Sequence, residues 1–231
     1  SEVAILFEQR NLISAPVIDE NNQLVGRITI DDVVDVIRDQ AEHSVMSMVG
    51  LDEDEDVFAP IFQSSKRRSV WLGVNLITAF IALYFIGLFE AALQQKIALA
   101  ILMPVVASMG GIAGTQTLII VTRGIATGRV TSANIKTLIN KEVAVSGLNG
   151  IIWSVVIGLI TYYWFSDLLL SLVIALAIIT NLLVAAFSGA FLPLALTKLK
   201  IDPALAGGVI LTTITDVIGF VAFLGLAALF I

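Results

Sequence analysis

One carboxylate stands alone in the last apolar stretch of the chain. Residues 204–231 contain a single ionisable side chain, Asp216, in a run long enough to cross a hydrocarbon core of about 30 Å as a helix. A carboxylate near the middle of a membrane is energetically costly, so it normally faces a water-filled cavity, a partner or an ion path rather than lipid. The residue type and its position therefore predict a functional site.

Small and hydroxyl-bearing residues accompany Asp216. Gly208 and Thr212 precede it at steps of four, which puts the three on one face of a helix, and Thr213 and Thr215 are further candidates. Carbonyl, hydroxyl and carboxylate oxygens are the ligands that Mg²⁺ prefers, so this face could hold a hard divalent cation. The alternative is that the small residues only pack helices together, as they often do in membranes.

A second apolar stretch, residues 97–122, has a glycine-rich and polar centre. We expect Pro104 and the glycines that follow it to loosen this helix and free backbone carbonyls, which membranes tolerate mainly where the backbone lines a cavity or an interface. A packing face is the alternative. Asn181, in a later stretch, is interpreted as an interhelical hydrogen-bonding group. The candidate lining residues of the second stretch are Gly110, Gly111, Ile112, Gly114, Thr115 and Gln116.

Composition defines the elements that must position these residues. The chain has 231 residues, of which 58% are hydrophobic and 14% charged, which indicates a multi-pass membrane protein of mainly α class. With no cysteine and one histidine, His43, disulfides and thiolate metal sites are excluded and a histidine-rich metal site is disfavoured. Five membrane helices are predicted, over residues 69–89, 97–122, 142–165, 168–196 and 204–231.

The distribution of basic residues predicts the orientation. Of the connections between the five apolar stretches, those on the N-terminal side carry nine bases, whereas the other side carries Lys96 alone. The positive-inside rule then places the N-terminus in the cytoplasm and the C-terminus outside, in a plasma (inner) membrane. The nine bases are Lys66, Arg67, Arg68, Arg123, Arg129, Lys136, Lys141, Lys198 and Lys200.

The front of the chain has a different character. Residues 1–60 carry 14 acidic and 3 basic side chains, against 5 and 10 in residues 61–231, so two domains are expected and nucleic-acid binding is disfavoured. We predict a small α/β unit over residues 1–40, an acidic segment with a connecting interfacial helix over 41–68, and a five-helix membrane domain over 69–231. Because Ser1 already belongs to a predicted helix, we expect the chain to be a piece of a longer protein.

Five consecutive acids follow the front unit. Such a run is usually a solvated surface, since like charges repel one another. The alternative is a regulatory site for a divalent cation, because clustered carboxylates suit Mg²⁺ and Ca²⁺. The residues are Asp52, Glu53, Asp54, Glu55 and Asp56.

The front unit resembles the second half of a CBS motif. The matching runs are PVID at 16–19, LVG at 24–26 and TIDD at 29–32. The resemblance implies pairing with a second motif and adenine nucleotide binding near Thr29 and Asp32. Only about half a motif is present, so a packing or dimer-forming role is the alternative and nucleotide binding stays open.

The membrane domain resembles the MgtE family of magnesium channels. Three runs match in order, PVVASMGGIAGTQ at 104–116, RGIATG at 123–128 and TTITDVIG at 212–219, and DPA at 202–204 adds a fourth. The resemblance implies a homodimer whose second and fifth membrane helices line a pore, with a largely hydrated Mg²⁺ near Asp216, Thr212 and Gly208. It also implies regulation by Mg²⁺ bound to acidic groups of the front unit.

Three departures from the family pattern are visible. Only part of the CBS pair is present, the run QAEHS at 40–44 stands where the family tends to carry more acids, and Ile112 replaces the usual asparagine after the glycine pair. The last change exchanges an amide for a hydrocarbon and motivates an alternative cargo such as Co²⁺, Ni²⁺ or Mn²⁺. A membrane sensor that carries no ion is a further alternative.

An enzyme is not expected. An intramembrane aspartyl hydrolase needs two carboxylates close enough to share a proton, and each chain has only Asp216 at membrane depth. A passive Mg²⁺ channel is therefore the leading interpretation.

Overall fold

The computed structural model describes residues 2–47, 51, 58–131 and 133–231. These residues fall into two units, residues 1–64 and residues 65–231, which are described separately.

The first unit is a small α/β structure. It runs α1 (Glu2–Arg10), β1 (Ser14–Ile18), β2 (Leu24–Thr29) and α2 (Ile30–Ser47). The two strands are antiparallel, and the turn between them is held by Asp19, whose Oδ1 accepts the backbone N–H groups of residues 21 and 23. Phe7 and Val33 are its buried apolar side chains. The predicted order of helix, strand, strand and helix is confirmed, and α2 extends beyond residue 40 into the segment expected to be a connection.

Thr29 and Asp32 form the start of α2. Both the backbone N–H and the hydroxyl of Thr29 donate to Oδ2 of Asp32, each at 2.8 Å. These two hydrogen bonds hold the pKa of the exposed Asp32 carboxyl below its ordinary value, and the bond from the backbone N–H has the larger effect. Thr29 and Asp32, which the CBS resemblance places near a nucleotide, thus cap a helix in this structure. Nucleotide binding stays a prediction.

The second unit consists of helices. Five of them are long and apolar enough to cross a membrane, as predicted, which makes the chain a multi-pass membrane protein. A short helix between the first two spans was not predicted. The elements are α3 (Ile61–Gly87), α4 (Glu90–Gln95), α5 (Ile97–Ala126), α6 (Ile135–Phe165), α7 (Leu168–Lys198) and α8 (Pro203–Phe230).

Helix α3 starts earlier than its apolar stretch. It is continuous from Ile61, so residues 61 and 62, expected in a separate interfacial helix, and the basic residues 66–68 form its first turns. Among the residues of α3, only Ala82 is buried. Nearly all of its circumference is therefore left uncovered within this chain.

Helix α7 is the centre of the bundle. It packs against α5, α6 and α8, and a larger share of its membrane-spanning part is buried than in any other span. Apolar side chains from three helices meet around it and form one cluster. The cluster comprises Leu99, Leu102 and Val106 of α5, Leu170, Val173, Ile174, Ala177, Ile178 and Leu182 of α7, and Phe223, Leu224 and Ala227 of α8.

Helix α5 stays continuous through its glycine-rich centre. Pro104 lies inside it, where the missing N–H deprives the carbonyl of residue 100 of its usual helical donor. The helix nevertheless runs unbroken from Ile97 to Ala126, so the expected loosening is not seen.

An ion pair joins two connections at one end of the bundle. The Nζ of Lys96, before α5, donates to Oδ2 of Asp167, before α7. Asp167 also caps α7, since its Oδ1 accepts the N–H of Leu170 at 3.0 Å. The hydrogen bond from the Leu170 N–H is the larger and the bond from Lys96 the smaller of two interactions that hold the pKa of Asp167 below its ordinary value. The two connections thus lie at the same end, as alternating membrane crossings require.

Candidate functional site

The predicted face of α8 lies beside the packed core. Gly208, Thr212 and Asp216 are half-buried, whereas the neighbouring face with Leu211 and Thr215 is fully buried against the bundle. Gly208, Thr212 and Asp216 therefore form a polar strip on α8, and this α8 strip is partly open within one chain.

Asp216 has no partner among the residues that the structure describes. Its carboxylate accepts no hydrogen bond from them and forms no ion pair with them, although the residue is half-buried. It also lies near the middle of α8, far from either helix end. A carboxylate at membrane depth with unused lone pairs calls for water, a cation or a partner to satisfy it.

The threonine hydroxyls of α8 use their protons within the helix. Thr212 Oγ1 donates to the carbonyls of Gly208 and Val209 at 3.1 and 3.0 Å, and Thr213 Oγ1 donates to Val209 at 2.7 Å. The hydroxyl oxygens of these half-buried residues therefore keep lone pairs free to accept from water or to face a cation. Oγ1 of Thr215 donates to the Thr212 carbonyl in the same way, but this residue is fully buried and reaches no open surface.

The predicted lining residues of α5 divide into two sets. Ile112 is 60% exposed, Thr115 and Gln116 are exposed as well, and a Cβ added at Gly111 would have no heavy atom within 4 Å. By contrast, Gly110 and Gly114 are buried against neighbouring helices. The first four are available to line a surface, whereas these two glycines are packing positions.

Asn181 joins three helices. Its Nδ2 donates to the carbonyl of Val106 at 2.8 Å, which confirms the predicted interhelical hydrogen bond. Its side chain lies where a Cβ would stand on Gly110 of α5, 2.2 Å from Nδ2, or on Gly219 of α8, 2.6 Å from the same atom. The two glycines make room for this amide.

Gly189 marks a contact that sequence reasoning missed. A Cβ at this position of α7 would lie 2.6 Å from the carbonyl oxygen of Gly114, so the backbones of α5 and α7 approach closely here. Ala185 stands four residues before it and is also buried. This small-residue spacing is the signal that could have identified the contact from sequence.

One chain supplies one carboxylate to the α8 strip. Among the described residues, no three His, Asp or Glu side chains form a group that could hold a metal ion. The predicted regulatory residues Asp52, Glu53, Asp54, Glu55 and Asp56 lie outside the described residues. Any cation at Asp216 would thus take most of its ligands from water, from hydroxyl and carbonyl oxygens, or from another copy.

Family models match both parts of the chain. Residues 103–226, more than half of its length, match the MgtE family, described as a divalent cation transporter. Residues 1–39 match the CBS domain.

Individual proteins match over the whole chain. It is 35% identical to "Magnesium transporter MgtE" of Bacillus subtilis over 230 residues, which are 100% of this chain and 51% of that protein. Proteins of the same name from Enterococcus faecalis and Thermus thermophilus are 29% and 30% identical. Each of these matches covers 99% of the chain, and 50% and 51% of the respective relative.

The chain spans about half the length of these curated relatives. The match to the transporter family runs from α5 through α8, and the front unit carries the CBS match. The chain therefore belongs to the MgtE family of divalent cation transporters.

Proposed function

We propose that the chain conducts Mg²⁺ passively across the plasma (inner) membrane, with its N-terminus in the cytoplasm and its C-terminus outside. The observation that carries this proposal is the half-buried carboxylate of Asp216, in the middle of a membrane helix and without a partner among the described residues. The names of the relatives, magnesium transporters, support Mg²⁺ as the cargo. Nine bases at one end of the spans support the orientation.

The strip on α8 suits a hydrated ion. Mg²⁺ sheds its waters reluctantly and usually keeps several of them beside one or two carboxylates. Asp216 offers the charge, and the acceptor oxygens of Thr212 and Thr213 can receive hydrogen bonds from waters of the ion. The membrane potential, worth about 2.3 kcal/mol per elementary charge per 100 mV, would then drive the ion inward.

The proposal includes a homodimer. Two copies arranged around one pore would bring two Asp216 carboxylates, with a charge of up to about -2, to the same depth, which concentrates a divalent cation. The exposed residues of α5 would complete the lining, namely Gly111, Ile112, Thr115 and Gln116. Gly110, Gly114 and Thr215 would act by packing α5, α7 and α8 in place.

Uptake of Mg²⁺ into liposomes tests the function. We expect the reconstituted chain to take up Mg²⁺. The uptake rate of Asp216→Asn should be at least about tenfold lower, because the charge that attracts the ion is gone while the side-chain volume is kept. Asp167→Asn is the matched control, since it removes a carboxylate that caps α7 away from the strip. Equal uptake by wild type and Asp216→Asn would contradict the proposal.

Mixing the two chains tests the shared pore. When wild type and Asp216→Asn are co-expressed in varied ratio, uptake should fall more steeply than the wild-type fraction, because a mixed dimer has one carboxylate instead of two. A fall in strict proportion would indicate that each chain conducts alone.

Ile112 favours a second candidate cargo. This residue is exposed on α5 and presents a hydrocarbon where the family pattern has an amide, so a softer ion such as Co²⁺, Ni²⁺ or Mn²⁺ is the alternative substrate. In the uptake assay these ions should compete with Mg²⁺ only weakly if Mg²⁺ is the cargo.

Regulation by Mg²⁺ at residues 52–56 is part of the proposal, and neutralising these five acids should remove any inhibition by internal Mg²⁺.

A further inference from the structure

A basic cavity lies between the end of α5 and the start of α6. Its volume is about 630 Å³, and it is open on one side. Three basic side chains line it, together with hydroxyl and amide groups and a few apolar ones. The lining that matters here is Arg123 and Thr127 at the end of α5, Arg129 and Asn134 in the connection, and Leu138 and Lys141 in α6.

The loop that forms the cavity is well defined by hydrogen bonds. Thr127 Oγ1 donates to the carbonyl of Arg123 at 2.9 Å, and Asn134 Nδ2 donates to the carbonyl of Arg129 at 2.8 Å. The backbone N–H of Val130 donates to the carbonyl of Gly124, where a Cβ would lie 2.5 Å from the Val130 side chain. The run RGIATG at 123–128, which the ion path does not use, thus ends α5 and begins this loop, and Arg129 follows it directly.

The charge in the cavity is only partly balanced. Lys141 Nζ lies 3.3 Å from Oε1 of Glu142, so this base already has an acidic partner. The guanidinium groups of Arg123 and Arg129 form no ion pair with any residue that the structure describes. The two guanidinium charges are left, and they make the cavity a suitable environment for a phosphate oxyanion.

The position of the cavity indicates the kind of phosphate. It lies at the ends of two membrane-spanning helices, and Ile120, one turn deeper on α5 than Arg123, lines it and is 49% exposed. Val130 and Leu138 add apolar surface. A charged rim above an apolar wall matches a phospholipid, whose phosphate sits at the interface and whose acyl chains run along the helices.

We propose that this cavity binds the phosphate of an anionic phospholipid headgroup, with Arg123 and Arg129 as its ligands. The site is separate from the Asp216 strip and does not depend on the cargo. A lipid bound here would tie the α5–α6 connection to the membrane surface.

Lipid binding to the purified full chain tests this proposal. Native mass spectrometry with added phosphatidylglycerol or phosphatidylcholine of the same acyl chains should give a clear excess of bound phosphatidylglycerol. Arg123→Gln with Arg129→Gln should weaken that binding about 30-fold, since each base near the surface contributes about 1 kcal/mol. Lys136→Gln with Lys198→Gln is the matched control, because it removes two bases from the same end of the bundle outside this cavity.

Two further arms decide the outcome. On wild type alone, raising NaCl from about 0.05 to about 0.5 M should release phosphatidylglycerol but not phosphatidylcholine, so the test does not depend on the folding of a variant. A large excess of inorganic phosphate should leave the lipid bound; if it displaces the lipid, the ligand is a soluble phosphate and the lipid assignment is wrong. Equal binding of the two lipids, or equal losses in both double variants, would also overturn the proposal.

Discussion

At the scale of single residues, Asp167 and Asp216 carry the same functional group in opposite surroundings. Asp167 caps α7 and pairs with Lys96, so its charge is neutralised by its own chain. Asp216 receives nothing comparable from the described residues, although it lies deeper in a span. The first carboxylate is therefore structural, whereas the second is the one that we propose for the cation.

Acid should weaken the chain through Asp167. Because its pKa is lowered in the folded state, its stabilising effect is complete above the ordinary value of about 3.9 and is lost as the pH falls toward the folded pKa. Melting temperatures in detergent should therefore fall less between about pH 6 and pH 3 for Asp167→Asn than for wild type, and the gap between the two curves should narrow as the pH falls. Asparagine still caps the helix, so only the charge is tested.

Lys96→Gln is the complementary variant. It keeps the cap on α7 and removes the ion pair, so its curve should lie between the other two at neutral pH. A gap between wild type and Asp167→Asn that is the same at every pH would show that the charge of Asp167 does not stabilise the fold.

At the scale of elements, the junction around Asn181 fixes how α5, α7 and α8 meet. Gly110→Ala places a methyl group against the Asn181 amide and should destabilise the chain by about 1–3 kcal/mol, despite the higher helix propensity of alanine. Gly111→Ala is the control on the same helix, since that position is open, and it should be neutral or slightly stabilising.

A double-mutant cycle identifies the cause. If the clash is with Asn181, Gly110→Ala should cost at least about 1 kcal/mol less in the Asn181→Ala background than in wild type. The free energy of unfolding in mixed micelles is the measurement. Additive effects of the two substitutions would mean that the cost arises from another contact.

Sequence predicted the number of membrane helices well, because the length of an apolar run is a direct signal. It did not predict which side of each helix is packed. In α5 the glycines 110, 111 and 114 look alike in sequence, yet two are buried and one is open. The spans are apolar around their whole circumference, so periodicity does not distinguish lipid from core.

The start of α3 and the short α4 were missed for a related reason. The first turns of α3 are polar and basic, so hydropathy places the helix start too late, although the backbone continues as one helix from Ile61.

At the candidate site, the spacing of four residues correctly placed Gly208, Thr212 and Asp216 on one face of α8. The burial of Thr215 follows from the packing of α8, which sequence does not record.

At the scale of the whole molecule, the chain leaves polar groups of its membrane domain uncovered. The strip on α8 is partly open, Thr115 and Gln116 of α5 are exposed, and α3 is almost unpacked within the chain. Polar side chains at membrane depth need water or protein around them, and the proposed water-filled path between copies would supply both to the exposed groups of α5 and α8.

Cation-dependent protection of a single cysteine tests the central claim most directly, and the cysteine-free chain makes it possible. Thr212→Cys, one turn from Asp216, should react with a water-soluble thiol reagent, and Mg²⁺ should slow the reaction several-fold by occupying the strip. Thr215→Cys, on the buried side of α8, should stay unreactive. A Thr212→Cys variant that does not react, or that reacts at the same rate with and without Mg²⁺, would contradict the assignment of this face of α8 to the ion path.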